Sequence, residues 1–173
     1  YFKFKNKKII FFYDPNNRHT QSINYIEDLF DNFGKEFSIF FCFNSPNISG
    51  HKNYYIKYSF LKWIYKVDIF LSNSVCDIFT NNSIKIFLHH DIYDSPLTDI
   101  KKEKELFQRL IKYDFLFLSN KKSKIMFNNF FDKYNSNLSA SIPKIMETGY
   151  LKLDYLKKNI KTYNSISNNI VIA

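Results

Sequence analysis

The residues with most chemical potential stand together. His89, His90, Asp91, Ile92, Tyr93, Asp94, Ser95 and Pro96 follow directly on the apolar run Ile84–Leu88. A neutral imidazole takes a proton from an alcohol near neutral pH, and a carboxylate such as Asp91 or Asp94 orients it and stabilises the imidazolium that forms. Adjacent side chains at a strand end point to opposite sides, so only one of His89 and His90 needs to face a cleft. A hydrogen-bonded histidine pair that merely terminates a strand is the competing reading, and the residues alone leave both open. His19 and His51 fall in loops with no fixed spacing to this cluster, so no metal site is predicted.

A second feature is the stretch Lys144–Leu156, in which Gly149 follows a predicted strand and precedes a predicted helix. Glycine there lets the backbone turn tightly or approach a ligand or neighbouring domain, and a plain turn is the simpler alternative. The stretch lacks the repeated glycines of a dinucleotide or phosphate-binding loop, so no nucleotide is assigned to it and no cofactor is predicted.

These residues need a scaffold, and the chain alternates short β-rich runs with longer helical-period segments. Strands are predicted at Lys8–Tyr13, Phe37–Phe43, Asp68–Ser72, Ile84–Leu88, Phe115–Leu118 and Lys144–Glu147, with a last one opening at Ile170. Helices are predicted over Thr20–Phe33, Thr98–Lys112, Lys121–Tyr134 and Leu151–Asn159, and either Ser119 or Asn120 can cap the third. Val75–Thr80 reads as a short helix or turn. In the aromatic segment Tyr54–Lys66, the spacing of Ile56, Phe60, Trp63 and Ile64 suggests a buried stripe. The expected fold is α/β: a mainly parallel sheet of about five or more strands in a three-layer, Rossmann-like domain. Ligands of such sheets gather at the carboxyl ends of the strands, which is where the histidines lie.

With 173 residues and 45% apolar content, the chain can bury one sizeable core. Twenty Phe and 13 Tyr against 3 Gly and 4 Pro exclude a disordered or disulfide-stapled chain. Asn, Lys, Ile, Phe and Tyr are abundant throughout, so single Lys or Asn residues carry little weight. Twenty-five Lys and Arg against 16 Asp and Glu give a formal charge of +9, which favours anionic partners. The basic residues are scattered and no RNA-binding or zinc-finger signature accompanies them, so nucleic acid is not a predicted partner. Cys42 and Cys76 lie far apart in apolar surroundings and read as buried reduced thiols, in keeping with a cytoplasmic location. No stretch reaches the roughly 18 apolar residues of a membrane helix.

Three segments together resemble the CDP-glycerol glycerophosphotransferases of teichoic-acid and capsule synthesis, over roughly residues 80–173. That family carries a Trp-His-Gly-Thr type motif after a strand, a Tyr-Asp-hydrophobic strand ending in Ser before a helix, and a Glu-Thr-Gly-Tyr-Pro-Arg-x-Asp segment. The counterparts are His89 to Ile92, Tyr113 to Ser119, and Glu147 to Asp154. His89 replaces the Trp, Asp91 and Ile92 replace the Gly-Thr, and Leu151 replaces the Pro.

The resemblance implies the amino-terminal half of a two-domain GT-B architecture. Residues 1–160 would form the acceptor-side domain. Residues 161–173 would be a linker and the first strand of a nucleotide-binding domain further along the chain. It implies a transferase that moves glycerol phosphate, or a related polyol phosphate, from a CDP-polyol donor to a polyol-phosphate or lipid-linked glycan acceptor. Such a protein would be cytoplasmic and peripheral on the inner face of the plasma membrane. His90 aligns with the family's catalytic histidine, with His89 and Asp91 beside it. Asp94, Ser95, Ser119, Asn120, Gly149, Tyr150 and Lys152 are the expected substrate-binding residues. A GT-B glycosyltransferase using a nucleotide sugar, and a non-catalytic module holding an anionic polymer, are the alternatives.

Overall fold

The computed structural model describes residues 8–13, 37–43, 54–57, 67–76, 82–89, 102–135, 141–150, 153, 154 and 157, the first three of these segments as backbone only. They form strands β1 (Lys8–Tyr13), β2 (Phe37–Phe43), β3 (Tyr54–Lys57), β4 (Ile69–Ser72), β5 (Ile84–Leu88), β6 (Phe115–Leu118) and β7 (Lys144–Glu147). Helix α1 (Glu103–Leu110) connects β5 to β6, and helix α2 (Lys121–Asn135) connects β6 to β7. The strands form one seven-stranded sheet in the order β3-β2-β1-β4-β5-β6-β7, and every neighbouring pair is parallel.

That order has one reversal. From β1 the chain builds outward to β2 and β3, then returns to the other side of β1 with β4 and continues to β7. The boundary between β1 and β4 is the topological switch point of a Rossmann-like sheet. Because all strands run the same way, Tyr13, Phe43, Ser72, Leu88 and Leu118 all end on one edge, the carboxyl edge.

The core lies between β4–β6 and the two helices. Phe70, Phe87, Leu116 and Leu118 come up from the strands, Phe107 and Leu110 from α1, and Phe127 and Phe131 from α2; each is almost fully buried. The Phe107 ring sits 5.8 Å from that of Phe131 and 5.6 Å from that of Tyr134, centroid to centroid, which locks α1 against α2.

Most predicted strands match residue for residue, and α2 is one residue longer than expected. The segment at 54–66 differs: Tyr54–Lys57 pairs with β2 as a parallel strand. The stripe suggested by the spacing of Ile56, Phe60, Trp63 and Ile64 does not begin at Ile56, which the sheet takes as the pairing partner of Cys42. Helix α1 is shorter than the predicted Thr98–Lys112. Lys102 stands at its N-cap without a side-chain cap, and its last turn closes where the Lys112 and Tyr113 N–H groups donate to the carbonyls of Arg109 and Leu110. The predicted helix over Thr20–Phe33, and with it any second helical layer, the segment Cys76 leads into at 77–81, and the strand at Ile170 lie outside the described residues.

A polar clamp joins the far ends of the two helices. The buried Glu103 carboxylate accepts hydrogen bonds from Lys133 Nζ at 2.7 Å and from the Tyr134 hydroxyl. The Lys133 hydrogen bond first, and that of Tyr134 second, hold the Glu103 carboxyl below the ordinary carboxylate range. A depressed carboxyl pKa adds stability that is present above the unfolded-state value and lost as pH falls through the folded-state value. In urea unfolding, wild type should therefore exceed Glu103→Gln in midpoint near neutral pH, and the gap should close on acidification through the carboxylate range. A gap independent of pH would mean that the charge of Glu103 contributes nothing.

Candidate active site

Along the carboxyl edge the strand ends present, in spatial order, Ser72 at the end of β4 and Asn73 after it, His89 after β5, Ser119 and Asn120 after β6, and Thr148 to Tyr150 after β7. The sheet thus gathers residues that are up to 78 positions apart in the chain, from Ser72 to Tyr150. The His89 N–H donates to the Phe117 carbonyl at 2.9 Å, extending the β5–β6 ladder one residue beyond Leu88 and fixing where the histidine run begins.

His89 itself is buried, 8% exposed. Its ring stands edge-on to Phe127 of α2 at 5.6 Å and tilted to Phe87 at 6.2 Å. Phe87 and His89 are two apart in extended backbone and so share the helix-covered face. His90, Asp91, Asp94, Ser95 and Lys152 lie outside the described residues.

Asn120 caps α2: its Oδ1 accepts from the Ser123 N–H at 2.8 Å, and its Nδ2 donates to Ser119 Oγ at 3.1 Å. The sequence left Ser119 and Asn120 equal as caps; Asn120 holds the position because its amide reaches N3 while still bonding its neighbour. After β7, the Thr148 N–H donates to the Leu118 carbonyl at 2.9 Å. Gly149 has φ +90°, in the region other residues rarely adopt, and a Cβ built on it would touch nothing within 4 Å. Its glycine therefore serves the turn rather than a close approach within the described residues. The Tyr150 carbonyl then accepts from the N–H groups of Leu153 and Asp154, starting a helical turn.

One edge residue escaped the sequence reading. Asn73 follows the last residue of β4, is 2% exposed, and neither its Oδ1 nor its Nδ2 has a hydrogen-bond partner among the described residues. The signal that selected His89, a polar residue directly after an apolar run, applies equally to Asn73, but the abundance of Asn in the chain hid it.

The loop carrying Asn73 is held from three sides. The Tyr113 hydroxyl accepts from the Cys76 N–H at 3.1 Å, donates toward the Ser74 carbonyl at 3.3 Å, and lies 3.3 Å from Cys76 Sγ. Arg109 Nη2 donates to the Val75 carbonyl at 2.9 Å. Ser72 Oγ accepts from the Ser74 N–H at 3.3 Å and donates to the Ser74 carbonyl. Burial, and secondarily the neighbouring Cys76, push the Tyr113 phenol far up from its usual range, so it stays neutral and keeps its donor. Cys76 is a buried thiol, as the sequence suggested.

A cavity of about 620 Å³ lies at the opposite, amino edge, lined in part by Asn82, Ser83, Lys112, Asp114, Ser141 and Pro143. It sits where β5, β6 and β7 begin, away from the histidines. Among the described residues no group of three or more His, Cys, Asp or Glu side chains gathers as metal ligands. Nor is any helix there long and apolar enough to cross a membrane.

Neither a protein-family model nor a curated protein sequence matches the chain. Solved structures do. The chain is similar to the wall teichoic acid polymerase TagF with a TM-score of 0.61 and 18% identity, covering 92% of this chain and 42% of that one. A TagF variant with a histidine changed to asparagine, soaked with CDPG, matches with a TM-score of 0.56 and 18% identity over 95% of this chain and 46% of that one. The chain therefore spans less than half the length of these structures, and at this identity the likeness is one of fold: an α/β parallel sheet like that in part of the GT-B-like fold of TagF.

Removing the phenol's hydroxyl tests the brace on the β4 loop. Tyr113→Phe removes the hydroxyl's hydrogen bonds to the Cys76 N–H and the Ser74 carbonyl and should cost about 1–3 kcal/mol of stability, read from a denaturant midpoint. An unchanged midpoint would show that the loop holds its course without Tyr113.

Proposed function

We propose that this chain is the acceptor-side, Rossmann-like domain of a two-domain transferase that moves glycerol phosphate, or a related polyol phosphate, from a CDP-activated donor to a polyol-phosphate or glycan acceptor. The observation that carries the reading is the start of the histidine run at the carboxyl edge of β5, one strand from the switch point, in a fold shared with TagF. In this reading residues 161–173 lead into a second, nucleotide-binding domain.

His90 is the proposed general base. Support comes from its neighbour: His89 is packed between Phe87 and Phe127 and is committed to the core, which leaves His90 as the candidate base of the pair. A neutral His90 would take the proton of the acceptor's terminal hydroxyl as that oxygen attacks the β-phosphorus of the CDP-polyol. The new P–O bond forms as the pyrophosphate P–O bond breaks, and CMP leaves with the electron pair. Asp91 or Asp94 would orient the imidazole and stabilise its charged form. Ser95, Ser119, Asn120, Gly149, Tyr150 and Lys152 would line the acceptor's path along the edge. Charge stabilisation on the transferring phosphoryl group would fall to the second domain. The charge of +9 favours an anionic acceptor and a peripheral place on an acidic inner membrane face.

Two variants of the full-length protein decide between base and strand terminator. His90→Ala should lower kcat by roughly 10² to 10⁴ at nearly unchanged melting temperature, the usual range for loss of a positioned base. His89→Ala should do the reverse, lowering the melting temperature while activity per folded molecule stays near wild type. Equal turnover by wild type and His90→Ala would sink the assignment.

A further inference from the structure

At the switch point the structure holds a buried carboxamide whose hydrogen-bonding capacity the described fold does not use. Asn73 directly follows β4, the strand next to β1 across the topological reversal, and open α/β sheets bind ligands in the crevice outside the strand ends at that reversal. Its neighbours in the same loop are engaged: Ser72 with Ser74, Val75 with Arg109, Cys76 with Tyr113. Both polar atoms of Asn73 are instead shut away without partners among the described residues. A buried polar group left unmatched is costly to the fold, and the rigid brace around it prevents the loop from relaxing to relieve the cost. Such a group is explained when a ligand completes it.

We infer that Asn73 is a positioning residue that binds a hydroxyl-bearing end of the ligand, a terminal polyol group, at the β1/β4 crevice. The carboxamide offers one acceptor oxygen and a two-proton donor. A fully ionised phosphate ester group only accepts and would leave Oδ1 unmatched; an ammonium only donates and would leave Nδ2 unmatched. A hydroxyl both donates and accepts, and the adjacent hydroxyls of a polyol satisfy both ends of the amide together. With Asn73 only 2% exposed, the group that reaches it must be narrow, which fits a hydroxymethyl end better than a base or a sugar ring. The inference rests on the proposed polyol-phosphate site, whose acceptor hydroxyl Asn73 would hold within reach of the histidine run one strand away.

The test uses the full-length protein, with glycerol phosphate as probe and inorganic phosphate as control, read by calorimetric titration and by melting temperature without ligand. Wild type should bind glycerol phosphate more tightly than phosphate. Asn73→Leu should weaken glycerol phosphate roughly tenfold, leave phosphate unchanged, and melt no lower than wild type, because it removes an unmatched polar group from a buried site. Asn73→Asp keeps the shape and the acceptor but loses the donor, and should also bind glycerol phosphate more weakly than wild type. A fall in melting temperature or failure to fold on Asn73→Leu would mean that the carboxamide is tied within the fold and would overturn the inference. So would unchanged glycerol phosphate binding in both variants, or no preference for glycerol phosphate in wild type. Binding that depends on Asn73 without any transfer dependent on His90 would discard the transferase reading and leave this one standing. Transfer that is indifferent to Asn73 would do the opposite.

Discussion

A phenol hydroxyl is not buried without partners, and the hydroxyl of Tyr113 finds them at the end of β4 and in the loop that leaves it. Tyr113 precedes β6, two strands from β4, and its ring packs against Phe87 of the strand between them at 5.7 Å. The same side chain is therefore a core aromatic and the fixed point of a loop. Once the hydroxyl is satisfied by Cys76 and Ser74, the backbone from Ser72 to Cys76 has one course, and Arg109 of α1 secures its middle. Core packing and edge geometry are consequently one problem in this protein: a change that shifts Tyr113 moves the β4 loop at the switch point.

The strands were legible because the strands of a parallel sheet read as near-continuous apolar runs, and Ile69–Leu71, Ile84–Leu88 and Phe115–Leu118 are each followed directly by polar residues that mark where the run stops. The 54–66 segment was not, because four apolar residues at helical spacing outweigh a short β-run when no partner strand is visible. The start of α1 was hidden for a related reason. Lys102 provides no capping signal, so the helix begins where Glu103 meets Lys133 and Tyr134, a contact some thirty positions away in the chain. The histidine run was legible as chemistry, since imidazoles and carboxylates after a strand are rare enough to stand out. Asn73 was not, because an amide becomes informative only when its partners are counted, and that count belongs to tertiary structure.

The Tyr113-Asp114 pair, part of the motif that suggested the transferase resemblance, has a structural explanation here. Asp114 Oδ2 accepts from the Lys85 N–H at 2.7 Å, the Asp114 N–H donates to the Lys85 carbonyl, and the Asp114 carbonyl accepts from the Lys144 N–H. One residue thereby joins the starts of β5, β6 and β7, while Tyr113 beside it reaches toward β4. A dipeptide that sets the alignment of four neighbouring strands constrains the fold strongly and the substrate hardly at all.

Specificity must then reside in what the edge presents, and its described residues divide by chemistry. Asn120 is engaged in capping α2, and His89 is sunk against Phe127, so neither turns its full capacity outward. Asn73 is the carboxamide at this edge whose two ends the described fold leaves unmatched. A charge of +9 draws anions of every kind to the surface, and long-range attraction of that sort does not distinguish a polyol phosphate from phosphate itself. Discrimination requires a neutral group that rewards a hydroxyl and tolerates nothing that only accepts or only donates. In the proposed site, Asn73, uncharged and buried directly after β4, would make the choice that the charge cannot make.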